Sequence, residues 1–234
     1  MIYFAHRGAS GLRPQNSLCA FALARELGAT AYELDVHLTK DQWTVIHHDY
    51  SLKDTTGVDV QIKDLSLAQL HKYPLINRFS ADICQVPTLR DLLPVIQEDL
   101  QILNIEIKND GNRYPGIERV LLRNLELYAP ESFPKLLISS FDYETLARVR
   151  DLHKNIKIGH LCRQFDLSKT LALGVYSVHM NQTRITPPII SSCHAHGLKV
   201  FVYTVNDPEH ARELQAQGVD GIFTDRVDLF VKKK

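Results

Sequence analysis

Short apolar runs recur along the chain, and most of them are followed by a segment whose apolar positions have helical spacing. Runs rich in β-branched and aliphatic side chains, bounded by turn residues, are typical of buried strands. Nine such runs predict strands at residues 2–5, 32–36, 43–47, 101–107, 136–140, 156–161, 175–180, 198–205 and 219–224.

Helices are predicted between most of these strands. The segments are residues 18–27, 89–96, 117–128, 143–152, 187–196 and 208–217, with a further short helix at 66–73. Gly28, Gly197 and Gly218 directly follow three of the segments, which is the position where glycine commonly ends a helix. Alternating strands and helices indicate a parallel sheet with helices outside it.

The number of predicted strands bears on the choice of fold. Eight strands would close a (β/α)8 TIM barrel, which fits one domain of 234 residues, whereas nine strands are one too many. The surplus lies between residues 32 and 47, where two strands are joined without room for the crossover that parallel strands need. An open doubly wound sheet is the alternative, but no glycine-rich dinucleotide fingerprint follows the first strand.

Residues 51–86 lie between the third and fourth predicted strands and have mixed character. Long loops at the carboxyl ends of barrel strands commonly shape the active site. We therefore expect a single catalytic barrel domain over residues 1–234, with residues 51–86 as a small insertion after the third strand.

Composition excludes some classes of partner. The chain has 27 basic and 27 acidic residues, so nothing predicts attraction to nucleic acid or to an anionic membrane. Its four cysteines have no CxxC spacing, which argues against a structural zinc site and for reduced thiols. With no secretory signal and no apolar run near the roughly 20 residues of a membrane span, we expect a cytoplasmic protein that does not insert stably into membranes. Composition does not predict the oligomeric state.

Three carboxylates follow predicted strands. Glu33 and Asp35 share one face of the second strand, and Glu106 ends the fourth. Neighbouring negative charges repel each other unless a positive charge lies between them. A divalent cation such as Ca²⁺ or Mg²⁺, which prefers oxygen ligands, would satisfy all three. The alternative is an exposed strand edge whose acids bind nothing.

Histidines and basic residues also fall at strand ends. His6 ends the first strand, while His47 and His48 end the third, where only one of the two can face the barrel axis. Two histidines suit a general acid and a general base near neutral pH, and Arg7 and Lys108 suit a phosphoryl group. Together with a metal ion they indicate phosphodiester cleavage, unless the two basic residues only neutralise buried carboxylates.

Other polar residues have simpler explanations. Asn16 could be the N-cap of the first helix, and Asp49 and Asp225 could cap helices. Structural roles are expected for His37, His71, His153, His194, His196 and His210.

Several motifs occur in order over nearly the whole chain. They are His6-Arg7-Gly8, Pro14-x-Asn16-Ser17, Glu33-x-Asp35-Val36, Leu38-Thr39-x-Asp41, His48-Asp49, Pro87-Thr88-Leu89, Asn104-Ile105-Glu106-Ile107-Lys108, Ser139-Ser140-Phe141, Tyr203-Thr204-Val205-Asn206, Gly218-Val219-Asp220-Gly221-Ile222 and Thr224-Asp225. In this combination the chain resembles the glycerophosphodiester phosphodiesterase family, in its bacterial cytosolic form.

The resemblance implies a (β/α)8 barrel with a small insertion after the third strand. It also implies hydrolysis of a glycerophosphodiester to sn-glycerol 3-phosphate and an alcohol such as choline, ethanolamine or glycerol, with one divalent cation, Ca²⁺ or Mg²⁺. The implied site comprises metal ligands Glu33, Asp35 and Glu106, catalytic histidines His6 and His48 rather than His47, phosphate-binding Arg7 and Lys108, and supporting Asn16.

Two residues depart from the family pattern. Gln15 stands where the family usually has glutamate, and Asp54 stands where it often has arginine. We expect the first change to affect contacts near the metal or the arginine, and the second to affect how the insertion is anchored and how it treats the alcohol. Rival functions are a lysophospholipase D or phosphatidylinositol-specific phospholipase, for which residues 73–79 could supply an apolar patch, and a catalytically inactive binding barrel.

Overall fold

A computed structural model of the chain describes residues 1–81 and 83–232. Its strands are β1 (Ile2–His6), β2 (Ala31–Leu38), β3 (Thr44–Ile46), β4 (Ile102–Ile107), β5 (Leu136–Ser140), β6 (Lys157–Leu161), β7 (Ser177–Asn181), β8 (Lys199–Tyr203) and β9 (Gly221–Thr224). Its α-helices are α1 (Leu18–Glu26), α2 (Lys53–Thr56), α3 (Leu67–Leu70), α4 (Leu89–Ile96), α5 (Ile117–Tyr128), α6 (Tyr143–Leu152), α7 (Leu167–Ala172), α8 (Pro187–Ala195) and α9 (Pro208–Ala216).

Eight parallel strands form a closed barrel. Strand β1 pairs in parallel with β2 on one side and with β9 on the other, and the circuit is completed through β8, β7, β6, β5 and β4. Because β1 is hydrogen-bonded to a strand on each side, the sheet closes on itself and has no open edge there. The predicted TIM barrel is therefore confirmed, and the open doubly wound alternative is wrong.

The surplus strand is β3, which lies outside the barrel circuit. It pairs antiparallel with the end of β2, with Val36 opposite Ile46 and Leu38 opposite Thr44. A tight turn over residues 39–43 joins them, closed by the hydrogen bond from Thr39 N to Trp43 O at 3.0 Å. Antiparallel strands need only a short loop, so no crossover helix is required between them.

The interior of the barrel is closed by aromatic and aliphatic side chains. Phe4 and Phe223 stack with ring centroids 4.7 Å apart, and Phe201 packs against Phe4 at 5.1 Å. A larger apolar layer between the strands and the outer helices surrounds this core. Because these side chains fill the barrel interior, the mouth formed by the carboxyl ends of the strands is the place where polar side chains can meet.

The helices agree with the predicted spacing except at α2 and α7, the first of which was not predicted as a helix. The short helix α7 was not predicted either; it begins at Asp166, whose carboxylate accepts a hydrogen bond from Lys169 N. None of the described helices is long and apolar enough to cross a membrane.

Residues 51–86 carry α2, α3 and one 3₁₀ turn, Ile62–Asp64. The predicted short helix at 66–73 is present in part as α3, which Ser66 and Gln69 cap reciprocally. A small separate cluster of buried apolar side chains supports the segment: Val45, Leu52, Ile62, Leu70, Leu75, Cys84 and Val86.

Candidate active site

The strand registers bring the predicted site residues to one rim. His6 of β1 lies opposite Glu33 of β2, and Asp35 of β2 lies opposite Glu106 of β4. Because parallel strands present their carboxyl ends at the same edge, residues distant in sequence become neighbours.

A sharp turn follows β1 and carries Arg7 into the site. Arg7 and Gly8 both have left-handed backbone angles, with φ of 56° and 82°. A Cβ atom on Gly8 would lie 2.7 Å from the main-chain carbon of Ala20, so only glycine allows the turn to pack this closely against α1. The turn directs the backbone N–H of Arg7 to Glu33 Oε2, at 3.0 Å.

Glu33, Asp35 and Glu106 form a buried carboxylate cluster in which one oxygen of each lies within 4.8 Å of the others. Burial, reinforced by the Asp35 charge, raises the pKa of Glu33 well above its usual range. Burial also raises the pKa of Glu106, to about 7. For Asp35, burial opposes ionisation, but the positive charges of Lys108 and Arg7 outweigh it and lower the pKa.

The cluster fits a hard divalent cation. All three ligands are carboxylate oxygens. The raised pKa values of Glu33 and Glu106 mean that the nearby positive charges do not suffice to keep all three groups ionised. Asn16 fixes one member, since its Nδ2 donates to Asp35 Oδ2 at 2.9 Å. The donors and their spacing therefore suit Ca²⁺ or Mg²⁺ and do not identify which one binds.

Lys108 and Arg7 flank the cluster. Lys108 Nζ lies 2.5 Å from Glu106 Oε1 and 3.0 Å from Asp35 Oδ1, and Arg7 Nε lies 3.3 Å from Asp35 Oδ2. The other end of Arg7 donates to Gln15 Oε1 at 2.5 Å, so the residue that departs from the family pattern at position 15 contacts this arginine directly. Burial would lower the pKa of Lys108, but the two carboxylates outweigh it and raise the pKa.

These contacts agree in part with a purely neutralising role for both basic residues. However, the side chains of Arg7 and Lys108 remain 19% and 12% exposed, and both border the cavity at the barrel mouth. Each can therefore pair with a carboxylate and still present donors to a bound anion.

His6 is oriented by Asp225. Its Nδ1 lies 2.7 Å from Asp225 Oδ1, and the same carboxylate accepts hydrogen bonds from Ser10 Oγ and Asn206 Nδ2, both at 2.9 Å. Despite its burial, Asp225 has a lowered pKa because of these donors, so it is an acceptor and His6 Nδ1 must carry the proton. His6 Nε2 then faces the cluster, 3.9 Å from Glu33 Oε2.

His48 has the same arrangement. Its Nδ1 lies 2.7 Å from Asp49 Oδ1, and His37 Nε2 donates to its backbone carbonyl at 3.2 Å. Burial lowers the pKa of His48 and of His6, so both imidazoles favour the neutral form. His47 points elsewhere: Nδ1 donates to the carbonyl of Asp49, and Nε2 accepts from Thr55 Oγ1, both at 2.7 Å.

The sequence did not predict the pairing of each histidine with an aspartate. Beyond their places in two of the family motifs, Asp49 and Asp225 are predicted only as possible helix caps, yet the structure pairs both with imidazoles. Their position after predicted strands was a usable signal, because strand ends converge at the mouth. Asn104 was also missed as a site residue; its Oδ1 is buried without a hydrogen-bond partner among the described residues, and it lines the mouth.

The site opens into a central cavity of about 240 Å³ at the barrel mouth. The cavity is bordered by both oriented histidines, by both basic residues and by two of the carboxylates. Phe141 and Tyr203 supply part of its apolar wall. An anion with a small polyol attached can therefore meet metal ligands, proton-transfer groups and cations in one enclosure.

Comparison with known proteins agrees with this geometry. The profile of the family described as the glycerophosphoryl diester phosphodiesterase family matches residues 6–229. A glycerophosphodiester phosphodiesterase from Caldanaerobacter subterraneus subsp. tengcongensis is 35% identical over 236 residues, covering 98% of this chain and 96% of the relative. One from Bacillus altitudinis is 33% identical over 237 residues, with the same coverage of 98% and 96%.

A solved structure is also similar over nearly its whole length. An Oleispira antarctica phosphodiesterase, in complex with the product sn-glycerol-3-phosphate, matches with a TM-score of 0.91 and 29% identity. The match covers 98% of this chain and 94% of that protein.

Proposed function

The chain belongs to the glycerophosphoryl diester phosphodiesterase family, and we propose that it hydrolyses glycerophosphodiesters to sn-glycerol 3-phosphate and an alcohol, with one bound Ca²⁺ or Mg²⁺. One observation carries the proposal: two aspartate-oriented histidines, two cationic side chains and two members of the three-carboxylate cluster border a single cavity at the barrel mouth. Each set has a separate task in cleaving a phosphodiester.

Glu33, Asp35 and Glu106 would hold the cation. When bound, it would supply positive charge next to a phosphoryl oxygen and lower the pKa of a nearby hydroxyl. Asn16 and the backbone N–H of Arg7 keep two of these carboxylates in place for that purpose.

His6 and His48 act as the proton-transfer pair. Because each Nδ1 donates to an aspartate, each Nε2 is the atom available to the substrate. One Nε2 removes the proton from the attacking hydroxyl, and the other delivers a proton to the leaving alkoxide. Burial lowers both pKa values, which keeps the base in its required neutral form, while the negative charge of the substrate favours protonation of its partner.

Arg7 and Lys108 stabilise the charge that builds up on the phosphoryl oxygens in the transition state. Their positions are set by ion pairs with the carboxylate cluster, so little reorganisation accompanies the reaction. The attacking hydroxyl belongs either to water or to the glycerol of the substrate, and accumulation of a cyclic phosphate would identify the second case.

The deciding experiment measures release of glycerol 3-phosphate from glycerophosphocholine with Ca²⁺, Mg²⁺ or EDTA. We expect EDTA to abolish turnover and added cation to restore it. Glu33→Gln should raise the cation concentration needed for half-maximal activity by at least about tenfold, because one charged ligand is lost. Glu126→Gln, on the exposed side of α5, is the matched control. Full activity in EDTA would contradict the metal assignment, and no product under any condition would contradict the reaction.

A further inference from the structure

A second cavity adjoins the mouth cavity, between the loop after β1 and the inserted segment, residues 51–86. We call it the flanking cavity; its volume is about 350 Å³. His6 and Arg7 border both cavities, so the flanking cavity opens directly onto the proposed chemistry. From the inserted segment it is lined by Asp54, Thr55, Leu75, Ile76 and Phe79.

The flanking cavity is suited to the variable half of the substrate. Of the mouth cavity, the flanking cavity and a third cavity beside His48, only the flanking cavity is lined by the inserted segment. The third, of about 210 Å³ beside His48, and the mouth cavity are both walled by the barrel and its other loops. Glycerol phosphate is common to all substrates and fits the barrel residues, which leaves the larger flanking cavity for the alcohol.

Asp54 is a carboxylate in the lining of this cavity that remains available to a ligand. Asp225, the other acid in its lining, already accepts three hydrogen bonds, whereas Asp54 is exposed and makes no hydrogen bond or ion pair with any other described residue. Arg7 and Arg13 are the opposing charges in the lining. Arg7 is paired with Asp35, and Arg13 Nη1 donates to the carbonyl of Leu12 at 2.7 Å. The cavity therefore presents an unpaired negative charge on the side formed by the insertion.

Asp54 lies in helix α2, and hydrogen bonds made by its neighbour Thr55 keep this helix at the rim of the cavity. Thr55 Oγ1 donates to His47 Nε2, and Ile76 N donates to the carbonyl of Thr55, both at 2.7 Å. The ring of Phe79, 48% exposed, lies in the same wall and can offer its face to a cation. A carboxylate beside an aromatic ring is the chemistry that recognises amines and quaternary ammonium groups.

We propose that the flanking cavity binds the leaving alcohol and that Asp54 makes the enzyme prefer alcohols with a positively charged amine or ammonium group, such as choline and ethanolamine. This inference rests on the proposed function, since it concerns the alcohol released by that reaction.

The test compares kcat/KM for glycerophosphocholine with kcat/KM for glycerophosphoglycerol, whose leaving alcohol is neutral. In Asp54→Asn the ratio of the two should fall about fivefold, the size expected for one partly screened charge pair, and in Asp54→Arg it should fall further. The wild-type ratio should also fall as salt concentration rises. Asp64→Asn removes the same charge from an exposed position of the insertion outside the cavity, so its ratio should equal that of the wild type.

An unchanged ratio in both Asp54 variants, with both substrates still cleaved, would overturn the inference and leave the proposed function intact. Faster cleavage of lysophosphatidylcholine than of glycerophosphocholine, lost in Phe79→Ala, would also overturn it, because the cavity would then hold an acyl chain. Failure of the wild type to cleave any of these substrates would instead overturn the proposed function.

Discussion

The barrel and the inserted segment differ in how firmly they hold their side chains. In the barrel, His6 and the three carboxylates project from strands that are hydrogen-bonded on both sides and backed by a continuous apolar layer. The inserted segment has helices of four residues, a small separate core, and apolar side chains in solvent, including Phe79 and the 82% exposed Ile83. We infer that the proposed chemistry relies on the firmly held barrel, whereas the wall that we assign to the alcohol lies where sequence change has little effect on stability.

The largest expected effect is a loss of turnover when a histidine of the barrel site is replaced. His6→Ala or His48→Ala should lower kcat by about 10²- to 10⁴-fold, because each removes one proton-transfer group. Turnover assays together with thermal melting measure the loss and the retention of the fold. His210→Ala, at a partly exposed histidine of α9 away from the site, is the control and should keep normal turnover. Turnover near the wild-type rate in either site variant would refute its catalytic role.

The next effect separates the regions by stability. Ile105→Ala, in the buried layer of β4, should reduce the free energy of unfolding by about 2–5 kcal/mol, as large-to-small changes in a packed core do. Leu70→Ala, in the core of the insertion, should reduce it less, because the segment can open locally without unfolding the barrel. Denaturant titration measures the first quantity, and limited proteolysis within residues 51–86 measures the opening.

If Leu70→Ala and Ile105→Ala destabilise the protein equally and neither increases cleavage within the insertion, the two regions unfold as one unit and the comparison fails.

The smallest expected effect is a loss of folding stability at acid pH, caused by a histidine in the barrel interior. Burial lowers the pKa of His179 from 6.5 to about 3, so between these values the unfolded chain binds more protons than the folded one. The contribution of this group is therefore lost as pH falls, by up to about 1.4 kcal/mol per pH unit. Denaturant titration at pH 6.5 and 5.5 should show a smaller stability difference for His179→Gln than for the wild type. Equal differences would show that this histidine does not contribute.

The parallel barrel and its rim could be predicted because both depend on local pattern. Glu33 and Asp35 share a face through the two-residue period of a strand, and Glu106 joins them because strand ends converge. The direction of β3 could not be predicted, since a short apolar run does not show whether it pairs parallel or antiparallel. Helix α7 was missed because six residues are too few to establish a period.

Contacts between residues from opposite ends of the chain could not be predicted either. His6 and Asp225 are 219 positions apart, and only the closing register between β1 and β9 brings them together. The flanking cavity has the same origin, because it forms between the β1 loop and an insertion whose path has no periodic signal.

That closing register also sets the order in which the enzyme is completed during synthesis. The three carboxylates and both histidines leave the ribosome within the first half of the chain. The carboxylate that orients His6, and the strand that pairs with Phe4 through Phe223, come almost last. A nascent chain can thus carry most of the proposed catalytic groups while His6 still lacks its partner, so we expect hydrolytic competence to be acquired in the same event that closes the barrel.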